Sequence, residues 1–154
     1  MVRVLVIDDE DDVLTAVRRR LQRAGFTVET VPNAEAACQS IATSQPAYDV
    51  IVTDMSMEAK NSGLEVLQAA FARDIFAEVI VMTAYGNVAN AVECMKRGAF
   101  DYSEKNAPGV DTYELLAEKV EQALERRLRD VRTVELWERV ARVKDRDHHQ
   151  PHAG

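Results

Sequence analysis

Through the first hundred residues, short apolar runs alternate with stretches whose apolar positions recur every three or four residues. Val2 to Ile7 is an apolar, largely β-branched run broken by Arg3, and Phe26 to Val31, Asp49 to Thr53, Glu78 to Met82 and Ala99 to Ser103 are four more short segments of strand character. All five read as strands; the first, β-branched run reads as buried, and Asp49 to Thr53, which lacks alternation, as buried on both faces. Between them the period changes. Val13, Leu14, Val17 and Leu21 predict a helix from Asp11, closed by Gly25 at its C′ position. Asn33 is placed to cap a second helix through Ala36, Ala37 and Ile41, which Pro46 ends. Gly63 opens a third through Leu64, Val66, Leu67 and Phe71. A fourth spans Asn87 to Arg97, with Val88, Ala91, Val92 and Met95 inward and Gly98 as its stop.

Strands and helices alternating about every 20–25 residues imply βαβ units and a parallel sheet with helices on both faces. Five units predict an α/β, doubly wound, five-stranded parallel sheet of order 2-1-3-4-5. The last segment differs. From Asp111 to about Arg146 there is no Gly or Pro, and an apolar stripe runs through Leu115, Leu116, Val120, Ala123, Leu124, Leu128, Val131, Val134, Trp137, Val140 and Ala141. A helix of about 35 residues would be about 50 Å long, so its first half should pack on the sheet and its second half project. Heptad spacing is interrupted at Arg127 and Glu138, which leaves a two-stranded coiled coil open as one use of the projection. The expected organisation is a globular domain over 1–127, a projecting helical extension or linker over 128–146 and a disordered tail over 147–154. The tail histidines, His148, His149 and His152, read as part of that flexible end rather than as a metal site.

Composition narrows the class. A chain of 154 residues that is 47% hydrophobic and 29% charged can bury one ordinary core. A net charge of −7 argues against direct nucleic-acid or anionic-membrane binding. No apolar run approaches the roughly 20 residues of a membrane span. Cys38 and Cys94 lack metal-type spacing and read as small buried hydrophobes in a reducing cytoplasm.

The candidate chemistry lies where the strands end. In a doubly wound sheet, ligands bind beyond the carboxyl ends of the strands, at the switch point between the first and third. That places Asp8, Asp9, Asp54, Thr83 and Lys105 around one crevice. Crowded carboxylates need either a proton or a cation. Hard oxygen ligands in small number suit Mg²⁺ with retained waters. With the charge neutralised, a carboxylate can act as nucleophile and form an acyl phosphate. The transferring group spreads charge over its oxygens, which Lys105 and the Thr83 hydroxyl can meet. Each residue also has an ordinary reading: helix-cap acids for Asp8 and Asp9, a loop acid for Asp54, a cap for Thr83, a surface lysine for Lys105. Their conjunction carries the functional one. Glu10, Asp11 and Asp12 read as first-turn acids favoured by the helix dipole.

VLVIDDE (Val4 to Glu10), VIVTDMSM (Val50 to Met57), VMTAYG (Val81 to Gly86) and KRGAFDYSEK (Lys96 to Lys105) together resemble the receiver domain of two-component response regulators. The stretch TAYGNVANAVECMKRGAFDY is similar to receivers attached to AAA+ enhancer-binding activators. The resemblance covers Met1 to about Arg127 and implies the flavodoxin-like receiver fold. It implies that Asp54 is the phosphoacceptor, and that Asp9, Asp54 and the Ser56 carbonyl ligate Mg²⁺, with Asp8 acting mainly through water. Thr83 and Lys105 would bind the phosphoryl oxygens, and Tyr102 would turn inward as Thr83 moves. The donor would be a sensor histidine kinase or a histidine phosphotransfer protein. A homodimer would form through the face of the fourth helix, fifth strand and fifth helix, or through the C-terminal helix. Two positions depart from the family pattern. Glu58 stands where proline is usual, in a loop that is one residue longer. Asn106 follows Lys105 where proline usually follows through a cis peptide. A cis bond before Asn106 would cost about 2.5–4 kcal/mol, so a trans bond and a remodelled loop are expected.

Two other readings share the architecture. An aspartate-based phosphohydrolase would carry a second aspartate two residues after the nucleophile as general acid, where Ser56 stands here. A flavin- or nucleotide-binding protein would place a Gly- or Ser/Thr-rich loop after the first strand, where this chain has five acids.

Overall fold

The structure, a computed structural model, describes residues 1–55 and 62–149, with side chains to 146. Five parallel strands, β1 (Arg3–Ile7), β2 (Thr27–Val31), β3 (Val50–Asp54), β4 (Glu78–Ala84) and β5 (Asp101–Lys105), lie in the order β2-β1-β3-β4-β5. The helices are α1 (Asp11–Arg23), α2 (Ala34–Thr43), α3 (Ser62–Arg73), α4 (Val92–Lys96, preceded by a 3₁₀ turn at Val88–Ala91) and α5 (Thr112–His149). This is the flavodoxin-like receiver arrangement with a long C-terminal helix.

Alternate strand residues feed opposite faces, as a two-residue period requires. Val4, Val6, Val50, Val52, Ile80 and Met82 pack beneath α1 and α5, against Val17, Leu21, Leu116 and Val120. Leu5, Ile7, Ile51, Val79 and Val81 pack beneath α2, α3 and α4, against Ile41, Leu67 and Cys94. Each fully buried aliphatic side chain contributes roughly 1.5–3 kcal/mol of transfer free energy, and the central strands supply most of them.

Local signals behave as their chemistry dictates. The Asn33 side chain accepts the Ala36 N–H at 2.8 Å and caps α2. Gly25 adopts φ 97° just beyond α1, a conformation that side chains with a Cβ rarely take. Several details differ from expectation. β3 runs through Asp54 and β4 through Ala84, because each keeps pairing with its neighbour to that point. β5 starts at Asp101 and includes Lys105, whereas the apolar pattern points to Ala99 through Ser103. It is an edge strand, and only its Ser103 is fully buried, so its sequence stays polar. The fourth helix opens with a 3₁₀ turn at Val88–Ala91, and the tighter period there rotates its inner face. Ala91 and Cys94 are buried, while Val92, expected inward, is 45% exposed. Cys38, also expected inside, is only half-buried.

α5 packs through Leu116, Ala117, Val120 and Ala123. Beyond Arg127 its large apolar residues, Leu128, Val134, Leu136, Trp137, Val140 and Val143, are exposed. At 38 residues it is roughly 57 Å long. The helix continues past the expected end at Arg146 to His149, and 150–154 lie outside the described residues. Among the described residues no helix is long and apolar enough to cross a membrane.

Candidate functional site

The carboxyl ends of β1, β3, β4 and β5 converge on a cavity of about 410 Å³ lined by Asp9, Glu10, Asp54, Ala84, Tyr85, Lys105 and Asn106. Parallel pairing sets this convergence: Ile7 lies opposite Thr53, Asp54 opposite Met82, and Ala84 opposite Lys105. Asp8 follows Ile7 and its side chain is fully buried, as is nearly all of Asp54. Asp9 is exposed at the rim. Lys105 Nζ lies 2.5 Å from Asp8 Oδ2, 3.2 Å from Asp54 Oδ2 and 4.0 Å from Glu10 Oε1. Asp8 Oδ1 accepts the Glu10 N–H at 2.9 Å.

The electrostatics are those of acids under strain. Burial pushes the Asp8 carboxyl above the usual aspartate range, and the Asp54 charge adds to the rise; the Lys105 ammonium and the Glu10 N–H offset only part of it. Burial of Lys105 works against its charge, but Asp8 and Asp54 outweigh that, and its pKa is raised. Asp8 Oδ2 is buried and makes no aligned hydrogen bond, although its ion pair with Lys105 is close. Asp8, Asp9 and Glu10 each offer a carboxylate oxygen, all within 4.8 Å of one another. An all-oxygen donor set crowded beyond what one ammonium neutralises fits a hard divalent cation such as Mg²⁺.

The expected residues are not all brought to this cavity. Asp8, Asp9, Asp54 and Lys105 meet there. Thr83 is buried beside it, and its hydroxyl donates to the Asn87 carbonyl at 2.9 Å. Tyr102 is half-buried on the far side of β5. It lines a separate apolar groove with Val88, Ala91, Val92, Met95 and Lys96. Ser56 and Glu58 lie outside the described residues, and with them the expected longer loop. The Lys105–Asn106 peptide is trans, since Gln45–Pro46 is the cis bond among the described residues. Asn106 takes φ 56°, a region asparagine tolerates better than most residues.

Glu10 departs from its reading as a first-turn acid. It occupies the N-cap position of α1 without a side-chain cap bond, and its carboxylate faces the cavity. The signal was its place between Asp9 and the helix start, where a side chain can turn back over the strand end. Tyr85 and Asn106, two further walls, carry no charge pattern that would single them out.

A five-stranded doubly wound sheet with buried acids and a lysine at the switch point defines a phosphoryl-accepting signalling module. The chain belongs to the response regulator receiver domain family, whose model matches residues 4–117. It is 36% identical over 118 residues to the photosynthetic apparatus regulatory protein RegA of Rhodobacter capsulatus, covering 77% of this chain and 62% of that one. It is 32% identical over 150 residues to the C4-dicarboxylate transport transcriptional regulatory protein DctD of Pseudomonas aeruginosa, covering 97% of this chain and 30% of that one. A receiver domain structure from Clostridium thermocellum superposes with a TM-score of 0.72 at 30% identity, covering 82% of this chain and 96% of that one. The chain thus spans less than two thirds of either regulator. The relatives include AAA+ enhancer-binding activators, so the subtype likeness holds. Receiver domains are two-component phosphoacceptors, phosphorylated by histidine kinases or phosphotransfer proteins, and they bind Mg²⁺ at an acidic pocket. Nothing in these likenesses favours a phosphohydrolase.

Proposed function

We propose that this domain is a phosphorylation-dependent switch in which Asp54 takes the phosphoryl group from a histidine kinase or phosphotransfer protein. The observation that carries the assignment is the placement of Asp54: buried, at the end of the central strand, 3.2 Å from Lys105 and open to the acidic cavity. An Asp54 carboxylate oxygen attacks phosphorus, the donor's phosphorus–nitrogen bond breaks, and the imidazole leaves with its electron pair and takes up a proton. Asp9, Asp54 and the Ser56 carbonyl would hold Mg²⁺, with Asp8 acting through water. Bound there, the ion would neutralise the acids and the charge of the transferring group. Lys105 would pair with one phosphoryl oxygen, and the Thr83 hydroxyl would donate to another. Thr83 would then give up Asn87, and Tyr102 would turn inward toward the space it leaves. The hydroxyl-to-phosphoryl bond is the differential contact that a shift in population requires. Any self-dephosphorylation is slow, because no second aspartate stands two residues beyond Asp54 to act as general acid.

The test is incubation with acetyl phosphate and Mg²⁺, followed by intact mass. Wild type gains one phosphoryl group and Asp54→Ala gains none. Modification that survives in Asp54→Ala removes the assignment.

Residues 1–127 form the receiver in this reading, and 128–146 a helical linker in a cytoplasmic regulator. The exposed apolar residues of that linker support a homodimer, through it or through the α4–β5–α5 face. Light scattering should give a dimer for the full chain and a monomer for a chain ending at Arg127; two equal monomeric masses would refute the linker's role.

A further inference from the structure

We propose that Glu104 is a latch that holds the turn Ala84–Asn87 in its resting position and thereby sets how readily the switch operates; this rests on the reading of Asp54 and Thr83 given above. The turn links β4 to the 3₁₀ segment. The Asn87 N–H donates to the Ala84 carbonyl at 2.9 Å, and Gly86 takes φ 83° at the third turn position, where glycine is favoured. Ala84 and Tyr85 form one wall of the acidic cavity, and Tyr85 is 61% exposed. The position of this turn therefore governs access to Asp54.

Two side-chain bonds tie the turn down. One is the Thr83 hydroxyl to the Asn87 carbonyl at 2.9 Å. The other is the Gly86 N–H to Glu104 Oε2 at 3.1 Å. Glu104 pairs with Thr83 across the β4–β5 ladder and immediately precedes Lys105. The two ties are unequal in kind. A hydroxyl has one proton to donate, so Thr83 cannot hold both Asn87 and a phosphoryl oxygen. Once Thr83 is drawn to the phosphoryl group, the Glu104 bond is the side-chain tie that must still break before the turn can move. A contact made in the resting state and lost in the other lowers the population of the other. Glu104 thus acts as a positioning residue that opposes the switch, through the backbone of the turn and without touching the reacting atoms.

The experiment compares wild type, Glu104→Ala and Glu104→Gln in the full chain with two readouts. The first is hydrogen exchange of the Gly86 amide in unphosphorylated protein, and the second is the rate of phosphorylation by acetyl phosphate with Mg²⁺. Loss of one exposed charge-assisted bond should raise both in Glu104→Ala by about 3- to 10-fold. Glu104→Gln keeps an acceptor for Gly86 and should lie closer to wild type. If Glu104→Gln matches Glu104→Ala, the cause is relief of repulsion toward an anionic donor and the latch is overturned. Unchanged Gly86 exchange in Glu104→Ala also overturns it. The exchange readout repeated on Asp54→Ala involves no phosphorylation, so a wrong phosphoacceptor and a wrong latch give different results.

Discussion

Buried acids stand at both ends of this sheet, and the two ends treat them differently. At the amino ends of the strands, Glu78 is 3% exposed and meets the Arg126 guanidinium twice, with Nε at 2.9 Å from Oε1 and Nη2 on Oε2. Arg126 also lies over the Phe100 ring at 4.6 Å. Its neighbour Arg127 spans Asp49 at 3.0 Å and Asp74 at 2.9 Å, and Asp49 also accepts the Arg3 N–H. Planar guanidinium forks suit such paired recognition. At the carboxyl ends, Lys105 serves Asp8, Asp54 and Glu10 together, and the Asp8 carboxyl is pushed upward. The amino end has acids matched to guanidinium partners within the fold, which fixes α5 where it leaves the domain. The carboxyl end holds more negative charge than one ammonium offsets, which suits a centre that takes up a divalent cation.

The most damaging way to break this contrast is to remove the clamp. Arg126→Ala leaves the buried Glu78 carboxylate without its guanidinium. Breaking a buried pair costs about 3–5 kcal/mol, and the partial exposure of Arg126 lets water soften this to about 2–3 kcal/mol. Urea unfolding would measure it. A loss below about 0.5 kcal/mol, the range of an ordinary surface substitution, would mean that the amino end is no better paired than any surface. Pairing the change with Glu78→Gln should recover much of the loss, since the stranded charge disappears.

How much of this could be read beforehand depends on the range of each interaction. Central strands such as VIVTD announce themselves by composition, and topology alone then places Asp8, Asp54 and Lys105 together. β5 was offset because an edge strand needs no apolar alternation, so DYSEK gives no strand signal while lying in register with β4. Val92 was misplaced because a local 3₁₀ turn changes the period, and nothing in NVANAV marks that turn. Thr83 could be placed near the site, but its partnership with the Asn87 carbonyl is a rotamer choice invisible to residue type. The Arg126–Glu78 clamp joins residues 48 positions apart and leaves no sequence trace. Glu10 and Glu104 were hidden by their ordinary company, one among five consecutive acids and the other in a polar strand.

The subtler test acts at the opposite end and with the opposite sign. Because the folded Asp8 carboxyl sits above its ordinary value, it binds its proton more tightly folded than unfolded. Its ionisation therefore costs the metal-free protein stability, beginning near the unfolded value of about 3.9 and complete once pH exceeds the elevated folded value. Below the unfolded value the penalty is absent. Asp8→Asn removes this titration, and Lys105 keeps Asp54 as its counter-charge. With chelator present at neutral pH, Asp8→Asn should melt above wild type, and the difference should shrink as pH falls toward the ordinary aspartate range. Adding Mg²⁺ reverses the comparison. At ten times its dissociation constant, a ligand that binds only the folded state adds about 1.4 kcal/mol to wild type, whereas Asp8→Asn should gain less. A metal-free Asp8→Asn that melts below wild type would show that Asp8 is already well compensated by Lys105. An undiminished gain with Mg²⁺ would show that the cation is held without Asp8. Either result would remove the contrast between the two ends, because the carboxyl end would then carry no stored charge for a cation to relieve.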